Sequence, residues 1–151
     1  MPRLTFFLVC EKTLLTQDDL MSLIQVIENI DVAISPDTVL PPEARAPISW
    51  SIVSLWRKEP EEDGLVFEQR VDIAMPDGSE ETINISRFEM EPARQGHRVV
   101  LNAFGFPVTT GLYRITLKIR EADGEQLWRG VAEYPITVTH VTSDVEALSS
   151  G

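Results

Sequence analysis

Few side chains in this chain could do chemistry. The 151 residues include two histidines, His97 and His140, and one cysteine, Cys10. Neither histidine has an acid or thiol nearby in sequence at metal-ligand spacing. A Cys10–His nucleophile pair would have to form between distant segments. Cys10 sits in an apolar run, where a buried thiol behaves as a small inert hydrophobe. There is no glycine-rich phosphate loop, no Gly-x-Ser-x-Gly elbow and no His-Glu-x-x-His helix. One cysteine also excludes an intrachain disulfide and a closed structural zinc site. No catalytic residue, cofactor site or metal site is assigned.

Charged residues cluster in three places. Glu59, Glu61, Glu62 and Asp63 share one loop, and Asp77, Glu80 and Glu81 lie near a later turn. Hard cations such as Ca²⁺ take loop carboxylates, so a calcium-dependent ligand or lipid binder is one reading. The two clusters flank the same strand, at its opposite ends, and cannot form one site; solvated turns are the simpler account. The third cluster is basic: Arg114, Lys118, Arg120 and Arg129 on the wet face of the last hairpin. It is a candidate docking face for an acidic partner or a symmetry mate. The ordinary alternative is a solvated face that discourages edge pairing. If the face docks a partner, alanine at Arg114, Lys118 and Arg120 together should abolish salt-sensitive binding.

The elements behind these residues read as β. Asp63-Gly64, Asp77-Gly78 and Asp123-Gly124 lie between runs rich in β-branched and aromatic residues, the signature of hairpins. Leu112–Arg120 alternates, with Tyr113, Ile115, Leu117 and Ile119 on one face. Leu127–Thr139 alternates in the opposite phase. A two-residue turn at Asp123-Gly124 pairs Ile119 with Trp128, Leu117 with Gly130, Ile115 with Ala132 and Tyr113 with Tyr134. It also sets Arg114 opposite Glu133, a favourable pair, and Lys118 opposite Arg129, an unfavourable one. Met75-Pro76-Asp77-Gly78 suits a type I turn followed by a glycine bulge. A three-residue loop then pairs Val71 with Ile83 and puts Phe67, Val71, Ile73, Met75, Ile83 and Ile85 on one face. Ile48–Arg57 is a strand with Ile48, Trp50, Ile52 and Trp56 on its core face, and Arg98–Phe104 is another. Trp50, Trp56 and Trp128 are all expected in the core. Residues 35–47, with Pro36, Pro41, Pro42 and Pro47, form a long loop, and 89–97 form a second. Residues 19–34 fit either a helix behind Asp19 or a strand, and the β-branched content favours the strand. Pro135 implies an edge or a bulge in the last strand.

The totals agree with a folded domain. The apolar fraction is 43% and the charged fraction 25%, near globular averages. The net charge of −11, from 24 acids and 13 bases, repels nucleic acid and anionic membranes. Residues 4–10 are too short and too poorly flanked for a signal peptide and read as a buried strand. No run approaches a membrane span. Asn84-Ile85-Ser86 matches the glycosylation sequon, which is incidental in a chain without a secretion signal.

Phe7-Leu8-Val9-Cys10-Glu11-Lys12, Ser22-Leu23-Ile24, Pro76-Asp77-Gly78 and Gly111-Leu112-Tyr113-Arg114 together resemble a family of small uncharacterised bacterial proteins, a domain of unknown function. The resemblance implies a bacterial immunoglobulin-like sandwich and carries no catalytic residue onto any position. The expected architecture is all-β: a two-sheet antiparallel β-sandwich of immunoglobulin-like type with about eight strands, a small barrel being the alternative. It would be a single domain over residues 1–141 with a tail at 142–151. The expected function is a non-enzymatic cytoplasmic module that binds a protein partner or itself. The alternatives are the calcium-dependent binder and an enzyme with an unrecognised site.

Overall fold

The computed structural model describes residues 1–18, 20–124 and 127–142. They form nine strands and one 3₁₀ turn, at Pro60–Glu62. The strands are β1 (Arg3–Leu15), β2 (Met21–Val26), β3 (Asn29–Ile34), β4 (Arg45–Arg57), β5 (Val66–Ala74), β6 (Glu80–Glu89), β7 (Gly96–Pro107), β8 (Gly111–Glu121) and β9 (Arg129–Thr142). A four-stranded sheet runs β2-β1-β4-β7, and a five-stranded sheet runs β3-β9-β8-β5-β6. Two separate sheets make this a sandwich, not a barrel. All pairings are antiparallel except β3 with β9. Tyr113, near the start of β8, donates its hydroxyl to the Thr109 carbonyl at 2.6 Å. That tyrosine corner, with this strand order, marks the immunoglobulin-like sandwich.

The core lies between the sheets. Trp50, Ile52 and Trp56 of β4 meet Phe67, Val71 and Ile73 of β5 and Tyr113, Ile115, Leu117 and Ile119 of β8. One polar tie crosses it. Gln69 Oε1 accepts from Ser54 Oγ at 2.7 Å and from Trp56 Nε1 at 2.9 Å. Burial of these groups without partners would be costly, so the glutamine fixes how the sheets face each other.

Residues 21–26 and 29–34 are strand, but β2 and β3 belong to different sheets, and Asp19 lies outside the described residues. The proline loop covers 35–44, because β4 begins at Arg45. Pro47 falls where β4 slips register against β7, which spares it a ladder hydrogen bond. The second loop is shorter than 89–97, because β6 ends at Glu89 and β7 starts at Gly96. Pro135 lies where β9 has β8 on one side only, since β3 pairs from Thr137 onward. Thr142 is still in β9; the rest of the expected tail lies outside the described residues.

The middle hairpin turns as expected. Gly78 donates to Met75 at 3.0 Å and has φ of +91°, and the three ladder pairs from Asp72 to Ala74 follow that turn. A further bulge then leaves Ile83 extra, so Val71 pairs with Asn84. Ile85 moves to the outer side opposite Arg70 and is 52% exposed. From Ala132 onward the last hairpin keeps its faces but slides. Tyr113 pairs with Ile136, Ile115 with Tyr134 and Thr116 with Glu133. Strand β8 ends at Glu121 and β9 starts at Arg129, so the connection is longer than two residues. Trp128 stays out of the core and lies under the Arg120 guanidinium, 4.2 Å from its ring centroid.

Candidate functional site

Residues with catalytic potential are held apart. Cys10 pairs with Ser51 and His97 with Trp56. Ser51 and Trp56 are separated by roughly 16 Å along β4 and point to opposite sides. Burial pushes the Cys10 thiol above its ordinary value, away from the reactive thiolate. The His97 ring stacks on Phe88 with centroids 4.8 Å apart. Its pKa is lowered by burial, against the opposing field of Glu91. His140 Nε2 contacts the Val108 carbonyl and borders a groove of about 280 Å³ lined by Thr38, Pro41, Pro42 and Thr109.

Several of the loop carboxylates are engaged with protein groups. Lys58 pairs with Asp63, Arg3 with Glu59 at 3.0 Å and Arg45 with Glu81 at 3.8 Å. Glu62 is buried, accepts from the Glu59 amide at 2.7 Å and lies 3.2 Å from the Met1 amino group. Asp77 accepts from the Ser79 amide and hydroxyl within its own turn. Among the described residues no three His, Cys, Asp or Glu side chains converge as a metal site would require.

The basic cluster is divided. Arg114, Lys118 and Arg120 lie on the outer face of the five-stranded sheet. Each faces an acid there: Arg114 lies 3.2 Å from Glu133, Lys118 3.1 Å from Asp72 and Arg120 3.3 Å from Glu68. Asp72 sits under Arg70 and Lys118 and is 1% exposed. Burial raises its pKa, but hydrogen bonds from Arg70, Thr82 and Lys118 outweigh it and leave the carboxyl below its ordinary value. Arg129 is not on this face. A bulge after Leu117 sets it opposite Ile119, beside Leu4 and Val131, and gives Lys118 the neighbour Gly130. The like-charge opposition expected from the sequence does not form.

The unusual surface is on the other sheet. Its outer face carries Phe6 and Leu8 of β1, Val53 and Leu55 of β4, and Val100 and Phe104 of β7, aligned by register. None of these six belongs to the core cluster. Val53 is 0% exposed at the centre, and Phe104 is 71% exposed at one end. Among the described residues there is no third sheet to cover this face. It runs into an open groove of about 650 Å³ lined by Thr5, Leu55, Arg57, Arg94, Gln95 and Arg98. The signal was present in the sequence: Phe6 to Cys10 is apolar at every position, which alternation around a single core does not explain.

No protein-family model matches the chain, and no curated protein matches it by sequence. Among solved structures, an immunoglobulin-like protein from Pseudomonas aeruginosa aligns at 14% identity over 92% of this chain and 97% of its own, with a TM-score of 0.38. No helix among the described residues is long and apolar enough to cross a membrane.

Proposed function

We propose that this chain is a non-enzymatic interaction module that binds a protein through the outer face of its four-stranded sheet. The observation that carries this reading is the apolar set Phe6, Leu8, Val53, Leu55 and Val100, which lies outside the core cluster, with Phe104 beyond the polar pair Ser51–Asn102. Apolar patches of this kind on a folded domain mark binding surfaces. The five-stranded sheet supports the reading by contrast, because its outer cations are matched by acids across the strands. A cytoplasmic location and kinship to the small bacterial proteins belong to the same proposal.

A photo-reactive side chain in place of Leu8 or Leu55, and separately in place of Arg114, tests it in cells of the source organism. Crosslinks to protein from positions 8 and 55, and few from 114, are expected. Stronger crosslinking from 114 would move the site to the basic hairpin face, and none from any position would remove the reading. Light scattering separates a partner from self-association, since the monomer mass is 17.0 kDa.

A further inference from the structure

The outer face of the four-stranded sheet carries both a knob and a hole. The knob is Phe104, 71% exposed near the end of β7. The hydrogen-bonded pair Ser51–Asn102, at 2.8 Å, cuts its ring off from Val53 and Val100 on its own sheet. The hole is the open groove of about 650 Å³ among Thr5, Leu55, Arg57, Arg94, Gly96 and Arg98. A groove of that size admits an aromatic ring, and a guanidinium binds the face of one. Arg57, exposed at the end of β4, is in no ion pair among the described residues.

Knob and hole are placed symmetrically. Val53 pairs with Val100 at the middle of the face. Along β7, Phe104 and Gly96 are equally far from Val100, roughly 13 Å each way. Along β4, Ser49 beside Phe104 and Arg57 beside Gly96 are equally far from Val53. A two-fold axis lying in the face, across the strands at Val53 and Val100, therefore exchanges knob and hole. The geometry points to a second copy of this chain as the occupant: two four-stranded sheets pack face to face about that axis, and each Phe104 enters the other copy's groove beside Arg57. Such a contact is self-complementary and closes as a dimer.

Area and charge agree with this occupant. Three strands about 4.8 Å apart, over about 12 residues, present roughly 600 Å². Two copies then bury roughly 1,200 Å², the lower end of specific interfaces. Strands β4 and β7 contain no Asp or Glu, so the acids behind the net charge of −11 do not oppose one another there. An axis along the strands would instead stack Arg57 and Arg98 on their own copies and leave both grooves empty. A different protein would have to offer a hole and a knob at the same separation, whereas a second copy has both.

This inference rests on the proposed binding face and names its partner. Light scattering of the intact chain should show the mass rising from 17.0 kDa to twice that, with association in about the micromolar range. Phe104→Ala removes an exposed side chain, so it should keep the Tm while weakening the dimer about tenfold or more. The double variant Phe104→Cys with Arg57→Cys should form a covalent dimer on mild oxidation, and neither single variant should. Positions 57 and 104 are roughly 26 Å apart within one chain, so that bond forms only between copies. Cys10 is buried, and the wild type measures its background.

A monomer up to about 1 mM overturns the second copy, and crosslinks to other proteins from positions 8 and 55 would then leave the face reading intact. A dimer that Phe104→Ala does not weaken overturns the knob-in-groove contact. So does covalent dimer from Phe104→Cys alone, formed as fast as from the double variant. A dimer indifferent to Leu55→Glu overturns the inference by placing self-association on another surface.

Discussion

Gln69 is where the two sheets meet through polar groups, and its carbonyl oxygen serves two buried donors from the opposite sheet. Replacing it with leucine keeps much of its volume but leaves Ser54 Oγ and Trp56 Nε1 without their acceptor. Each lost buried partner costs about 1–3 kcal/mol, so Gln69→Leu should lower the unfolding free energy by about 3 kcal/mol in urea titration. A loss under about 0.5 kcal/mol would mean that the donors find other acceptors. Asp72 gives a pH-dependent counterpart. Its folded pKa lies below its unfolded value. The stability it contributes is complete above the unfolded carboxylate pKa, near 4, and is lost as pH falls through the lower folded value. Asp72→Asn should cost about 1–2 kcal/mol at neutral pH, with Arg70 and Lys118 partly rehydrated. It should also flatten the acid limb of the stability curve below about pH 4. An unchanged acid limb would assign that limb to other carboxylates.

Strands and their main-chain directions were legible because alternation at period two shows directly in β5, β8 and β9. Register was less legible, and for a physical reason. A one-residue slip inverts every face, but a two-residue slip preserves them all. The sequence pattern therefore could not choose between Tyr113 opposite Tyr134 and Tyr113 opposite Ile136. The connection from Glu121 to Arg129 decides it, and Arg120 over Trp128 occupies the place expected to be core. Bulges had the same effect on single residues, sending Ile85 outward and Arg129 to the opposite face from Lys118. The apolar outer face went unread because a continuous run such as Phe6 to Cys10 says buried on both sides without saying by what. One glycine joins elements directly. Gly111 opens β8 at φ of +137°, and a Cβ there would lie 2.7 Å from Pro76 Cβ in the β5–β6 turn. Gly111→Ala should cost about 2–3 kcal/mol through backbone strain and contact with that turn. Calorimetry would show it as a lower Tm, and an unchanged Tm would mean that the turn yields freely.

At the scale of the molecule, the two sheets are built for different exteriors. The five-stranded sheet covers the core and turns cross-strand ion pairs outward. The four-stranded sheet covers the same core but turns apolar residues outward as well, so its inner strand β4 is apolar on both faces around Val53 and Leu55. Such a strand belongs to a layer with something on each side. A pair of substitutions separates the two sides of β4. Leu117, fully buried between the sheets, should cost about 3 kcal/mol as Leu117→Ala. Well below its Tm, that variant should bind the partner normally. Leu55 is half-buried and outside the core cluster. Leu55→Glu should keep the unfolding free energy within about 1 kcal/mol of the wild type while abolishing crosslinks from position 8. If Leu55→Glu instead destabilised the fold as much as Leu117→Ala, the outer face would be covered from within the chain and closed to a partner. If stability and crosslinking were both unchanged, the binding surface would lie elsewhere. Stability held and binding lost is the combination that requires a partner to supply the missing layer.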